Sequence, residues 1–148
     1  MKTPTKIRVL LVDDHLMVRQ TLRKLLKPFP NIEIIGEAAD GDEAVAEVGT
    51  LRPTVVVMDI NMQKMDGVTA ARLIKTQYPD IAIVGLSADP KDYNVYAMER
   101  AGAFEVFTKE RAYENLYDAI QRAVAANRSV FDVGKCSFPK RWCHKLTE

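Results

Sequence analysis

Short aliphatic runs alternate along the chain with segments whose apolar positions recur at helical spacing. Five runs read as strands: Ile7–Val12, Ile32–Gly36, Thr54–Met58, Ile81–Leu86 and Ala103–Phe107. Stretches such as VLLV and VVVM leave no polar face, as expected of parallel strands covered on both sides. Leu16–Leu26 carries Val18, Leu22, Leu25 and Leu26 on one stripe, with Pro28 behind it. Gly41–Val48 is a short, acidic amphipathic segment. Asp66–Tyr78 opens on a capping aspartate, carries Val68, Ala71 and Ile74 on one face, and has Pro79 beyond its end. Pro90–Ala101 starts on a proline tolerated in a first helical turn and closes at Gly102. A fifth helix follows the last strand, with Leu116, Ile120, Ala123 and Val124 as its apolar stripe.

The order βαβαβαβαβα predicts an α/β fold: a doubly wound, five-stranded parallel sheet with five helices on its two faces and right-handed crossovers. Neither an internal repeat nor a low-complexity tract interrupts it. One domain over residues 6–126 and a basic, Cys-containing tail over 127–148 account for the 148 residues.

Charge refines this division. The net charge of +1 excludes a bulk polyelectrolyte role, but Arg128, Lys135, Lys140, Arg141 and Lys145 outweigh Asp132 and Glu148 in the tail. Phe131, Phe138 and Trp142 lie among them, and the segment reads as a loosely docked extension without direct DNA binding. Cys136 and Cys143, followed by His144, fit no common zinc spacing and read as two ordinary thiols. No run approaches the roughly 18 apolar residues of a membrane helix. The first apolar run stops at Asp13, too early for a secretory signal, so a cytoplasmic location and no membrane partner are expected.

The strand ends carry the chemistry. Asp13 and Asp14 follow the first strand, Asp59 the third, Ser87 the fourth and Lys109 the fifth. With strand order 2-1-3-4-5, strands 1 and 3 adjoin at the switch point outside whose carboxyl ends ligands bind. Three converging carboxylates repel one another and suit a hard divalent cation with oxygen ligands, for which magnesium fits. A cation, an ammonium and a hydroxyl around a carboxylate suit a phosphoryl group, with one carboxylate as nucleophile forming an acyl phosphate. A turn-and-cap reading of Asp13-Asp14 explains neither Asp59 nor Lys109. His15 is placed to influence the acidic pocket, but a lone histidine at a helix start reads first as a surface residue.

Five motifs in order and spacing, VDDH (Val12–His15), MDINM (Met58–Met62), MDG (Met65–Gly67), LSA (Leu86–Ala88) and FTK (Phe107–Lys109), resemble the receiver domain of bacterial two-component response regulators. The resemblance covers Lys6 to Ala126, and IRVLLVDDH and GEAADGDEAV are similar to its LuxR-type subgroup. It implies a flavodoxin-like fold with Asp59 as phosphoacceptor. Mg2+ would be held by Asp13, Asp14, Asp59 and the backbone carbonyl of Asn61. Lys109 would pair with the phosphoryl oxygens, and Ser87 would hydrogen-bond one of them. Phe107 would be the switch aromatic that turns inward as the serine moves and alters the face of helix 4, strand 5 and helix 5. The implied partners are a sensor histidine kinase or phosphotransfer protein and a downstream protein on that face. The implied protein is a monomer or weak homodimer and an enzyme only toward itself.

Gln63 departs from the family's proline and loosens the loop after strand 3. Polar side chains at Asn61 and Asp89 imply a short-lived signal. A phosphorylation-independent docking scaffold is the alternative. An aspartate-based magnesium phosphohydrolase wants a second aspartate where Asn61 stands, and a flavin or nucleotide binder wants a glycine-rich loop where Asp13-Asp14-His15 stands. The 22 residues after Ala126 are too few for a helix-turn-helix module, which implies a stand-alone receiver, one cut before its effector, or one that lost it.

Overall fold

The computed structural model describes residues 6–89, 91 and 93–132, with side chains as far as Asn127. The readings of Pro90 as a helix opener, of Cys136, Cys143 and His144, and of the tail aromatics lie outside the described residues and side chains.

The elements are β1 (Ile7–Val12), α1 (Leu16–Leu26), β2 (Ile32–Ala38), α2 (Gly41–Leu51), β3 (Val55–Asp59), α3 (Gly67–Gln77), β4 (Ala82–Ser87), α4 (Asn94–Arg100), β5 (Glu105–Thr108) and α5 (Lys109–Asp132). The strands form one sheet in the order β2-β1-β3-β4-β5, every pair parallel. This is the expected doubly wound topology.

Because strand side chains alternate, each buried strand feeds two cores. Val9, Leu11, Val55, Val57, Val84 and Leu86 point to the layer closed by Leu22 and Leu26 of α1 and by Leu116 and Ile120 of α5. Leu10, Val12, Val56, Met58 and Ile83 point to the other layer, closed by Ala44 and Val48 of α2, Ala71 and Ile74 of α3, and Met98 of α4. The continuous apolar runs are thus two interleaved period-two patterns.

Local chemistry sets the helix ends. Asp66 caps α3 by accepting from the Thr69 N–H at 2.7 Å, and Asp40 caps α2 by accepting from the Glu43 N–H at 2.9 Å. Arg52 ends α2 with φ 49°, and its guanidinium lies 4.4 Å from the centre of the Tyr78 ring. Three helices depart from their expected bounds, and α2 runs past Val48 to Leu51. α4 begins at Asn94. α5 follows β5 without a loop, is broken at Asn115 (φ −134°, ψ 23°), and runs on to Asp132, past the expected boundary at Ala126.

Lys75 on α3 fastens the start of β4 by donating to the carbonyls of Pro79 at 2.8 Å and Ile81 at 2.9 Å. Burial pulls its ammonium down to about 8, with the Asp80 carboxylate opposing the shift. Its stem passes Gly102, whose φ of 120° only glycine adopts readily.

The segment between β3 and α3 is drawn tightly back. The Gly67 N–H donates to the Ile60 carbonyl at 2.7 Å, and the Gly41 N–H donates to the Met65 carbonyl at 3.0 Å. A Cβ at Gly67 would overlap the Asp59 carbonyl oxygen and lie 2.8 Å from Ile60 Cα, all backbone that cannot swing aside. Gly67→Ala is therefore expected to cost about 2–3 kcal/mol in urea denaturation, as overpacking does. Gly49→Ala, whose Cβ would meet only the Tyr78 hydroxyl at 3.1 Å, should change stability by less than about 1 kcal/mol, since alanine is the better helix former.

Candidate functional site

Among the described residues, the buried polar or charged ones are Asp13, Asp59 and Ser87, and all three lie at the carboxyl edge of the sheet. Asp13 follows β1, whose central position leaves its side chain fully enclosed. Asp59 ends the neighbouring β3, and Asp14 sits half-buried beside them. Carboxylate oxygens of Asp13, Asp14 and Asp59 and a ring nitrogen of His15 all lie within 4.8 Å of one another.

Lys109, the first residue of α5, enters from the far side of the sheet edge. Its Nζ lies 2.9 Å from Asp13 Oδ2 and 3.7 Å from Asp59 Oδ2. Burial alone would depress its ammonium, but the close contact with Asp13 and the charges of Asp59 and Asp13 outweigh it and raise the pKa. Asp59 shifts the other way from an ordinary carboxylate. Burial, then the neighbouring Asp13 charge, push it from 3.8 up to about 6, against the pull of Lys109 and of the Asn61 N–H, which donates to Asp59 Oδ1 at 3.3 Å. One lysine does not balance three carboxylates.

The donor set fits a hard cation. Asp13 Oδ2 and Asp14 Oδ1 are buried yet receive no well-directed hydrogen bond, although Lys109 Nζ and His15 Nδ1 stand 2.9 Å from them. Enclosed carboxylate oxygens short of donors are what a divalent ion with oxygen ligands requires.

The remaining expected residues fall differently. Ser87 is buried at the end of β4, but its hydroxyl donates to the Asp89 carbonyl at 2.7 Å and accepts from the Asp89 N–H at 3.1 Å. Its one proton is thus committed to its own loop and not to Asp59. The Asn61 side chain points toward α4, where its Oδ1 accepts from Asn94 Nδ2 at 3.0 Å.

Phe107 is corrected by the structure. An inward-turning switch needs an outward starting position facing α4, whereas this ring is already buried in the layer of α1 and α5, with the Arg122 guanidinium 5.9 Å from its centre. Strand alternation gives the α4 side of β5 to Val106, and a Cβ at Gly85 would meet both Val106 and Met98 of α4.

Two contributors extend the sequence reading, which sets His15 aside as a surface residue and does not single out Arg19. His15, exposed as expected, nevertheless puts Nδ1 3.1 Å from Asp13 Oδ1, and its backbone N–H donates to that oxygen at 2.8 Å. Arg19 on α1 donates from Nη1 to the Asp13 carbonyl at 2.6 Å. A cation on the inner side of a helix beside an acidic strand end was the available signal.

A doubly wound parallel domain with a cation-ready acidic pocket at its switch point defines a class, and comparison with known proteins narrows it. Residues 9–121 match the response regulator receiver domain, and the chain belongs to that family. It is 42% identical over 117 residues to the transcriptional regulatory protein LiaR of Bacillus subtilis, covering 79% of this chain and 56% of LiaR. It is 37% identical over 126 residues to the response regulator protein VraR of Staphylococcus aureus, covering 85% of this chain and 60% of VraR. The chain therefore spans under two-thirds of the length of these curated relatives.

Among solved structures it is similar to the signal receiver domain of the putative response regulator NarL from Mycobacterium tuberculosis, with TM-score 0.77, 25% identity and coverage of 82% of this chain and 98% of that one. It is also similar to a two-component response regulator of the LuxR family from Aurantimonas, with TM-score 0.76, 30% identity and coverage of 82% and 86%. The expected flavodoxin-like receiver fold and LuxR-type resemblance both stand. Among the described residues no helix is long and apolar enough to cross a membrane.

The raised pKa of Asp59 has a thermodynamic consequence. Between its ordinary value of 3.8 and about 6, the folded chain holds a proton that the unfolded chain has lost, so this group makes stability fall as pH rises through that window. Asp59→Asn removes the penalty. In metal-free urea denaturation the variant should exceed the wild type by up to about 3 kcal/mol at neutral pH, a gain that vanishes in strongly acidic solution where both chains carry a neutral group.

Proposed function

We propose that this receiver domain accepts a phosphoryl group on Asp59 from a sensor histidine kinase or phosphotransfer protein. The observation that carries this is the position of Asp59, buried beside two further carboxylates, with a lysine 3.7 Å away and the Asn61 backbone N–H directed at it. In the transfer a carboxylate oxygen of Asp59 attacks phosphorus, the donor's bond to phosphorus breaks, and an acyl phosphate forms. Asp13, Asp14, Asp59 and the backbone carbonyl of Asn61 would hold Mg2+. When bound, that ion supplies charge neutralisation for the carboxylates and the incoming phosphoryl oxygens. Lys109 contributes a second positive charge at the sheet edge, drawn from Asp13 toward the phosphoryl group.

Ser87 is the responsive group. Its hydroxyl, bonded to the Asp89 carbonyl, can exchange that acceptor for a phosphoryl oxygen and so draw in the loop that leads to α4. The surface altered is the α4–β5–α5 face, the site for a downstream protein. Turnover is confined to the chain itself. Polar side chains at Asn61 and Asp89, with Gln63 relaxing the loop after β3, favour a short phosphoryl lifetime.

Incubation with Mg2+ and acetyl phosphate, read by intact mass, should add one phosphoryl group to the wild type and none to Asp59→Asn or to a sample with chelator. Persistence of the gain in Asp59→Asn would overturn the assignment.

A further inference from the structure

Asp13 carries more of the pocket than any neighbour, yet it lies beyond the last ladder residue of β1, where the sheet stops organising the backbone. Its N–H still donates to the Ala38 carbonyl at 3.1 Å. Its carbonyl is taken up from outside the sheet, by Arg19 Nη1 at 2.6 Å.

The arginine is itself held. Its Nε donates to Glu37 Oε1 of β2 at 2.8 Å, while Arg23 occupies the other oxygen, with Nη2 at 2.7 Å. The two arginines outweigh the effect of burial on Glu37 and hold its carboxyl below the ordinary value, so it stays ionised. The planar guanidinium thus makes a fork with one arm on β2 and the other on the carbonyl of Asp13, a geometry that an ammonium on a flexible stem cannot reproduce. Arg19's own backbone N–H returns to the His15 carbonyl at 3.2 Å, which closes the turn from β1 into α1.

We propose that Arg19 is a positioning residue for cation binding: by clamping the Asp13 carbonyl it fixes the side chain that must present oxygen to the ion. This rests on the reading of the pocket as a Mg2+ site. The side-chain bonds of Arg19 go to Glu37 and the Asp13 carbonyl, so it acts through Asp13. Groups that orient metal ligands in this way commonly account for tenfold or more of the affinity.

Electrostatics gives the test its edge. Removing a cation near an acidic pocket should by charge alone tighten Mg2+ binding, whereas losing the clamp should weaken it. The full chain, labelled with 15N, would be titrated with Mg2+ alone and followed through the Asp14 and Asn61 amide resonances. Arg19→Met keeps the aliphatic stem and should raise the dissociation constant about tenfold. Arg23→Met removes the same charge from the same glutamate without touching Asp13, and should stay within about twofold of the wild type.

Arg19→Lys retains the charge and one donor arm, so it should fall between the wild type and Arg19→Met, and it serves if the methionine variant does not fold. Wild-type affinity in Arg19→Met, or tighter binding, overturns the proposal, as does equal weakening in Arg23→Met. A wild-type chain that takes up no Mg2+ instead overturns the reading of the pocket, and this inference with it.

Discussion

The molecule is organised around the repulsion between carboxylates held at the end of a buried sheet. Asp13 and Asp59 sit at the ends of adjacent strands, with Asp14 beside them, and the first two are buried. Such a cluster is costly to fold and is retained only where a positive partner stabilises it. Lys109 supplies part of that charge and leans on Asp13, 2.9 Å away, more closely than on Asp59. Asp59 is left with the longer lysine contact, and its carboxyl is pushed up to about 6.

The rest of the fold can be read as what keeps that imbalance in place. The parallel register, with Asp59 opposite Leu86 and Ser87 opposite Thr108, aligns the strand ends so that groups far apart in sequence meet at one edge. Gly67 allows the chain after Asp59 to fold back against its own backbone. α5 starting directly at Lys109 gives the lysine a rigid base. Behind the sheet, Lys75 ties α3 to β4 through backbone carbonyls, and Arg19 ties α1 and β2 to the carbonyl of Asp13.

Small polar contacts join the loops of the pocket to α4. Asn61, two residues after Asp59, accepts from Asn94 at the first position of α4, and Ser87 is bonded into the loop leading to the same helix. Phe107 stands on the opposite side of the sheet, packed under α5. Both faces therefore reach the pocket, α4 through the Asn61–Asn94 hydrogen bond and α1 and α5 through Arg19 and Lys109.

Much of this was legible in the sequence because it rests on local rules. Unbroken aliphatic runs dictate buried parallel strands, and acidic residues placed immediately after them must emerge at the carboxyl edge. Asp66 ahead of an apolar stripe sets a helix start. These readings need only the chain's own periodicity and chemistry, and they were enough to nominate Asp13, Asp14, Asp59, Ser87 and Lys109. Tertiary structure decided what depends on contacts between distant segments: that the Ser87 hydroxyl is spent on its own loop, that Phe107 faces α5 while Val106 faces α4, that His15 leans over the pocket, and that Arg19 reaches the carbonyl of Asp13. A residue type sets which bonds a side chain can make; which partner it meets depends on strand register and helix packing, and these are settled only when the two cores close around the sheet.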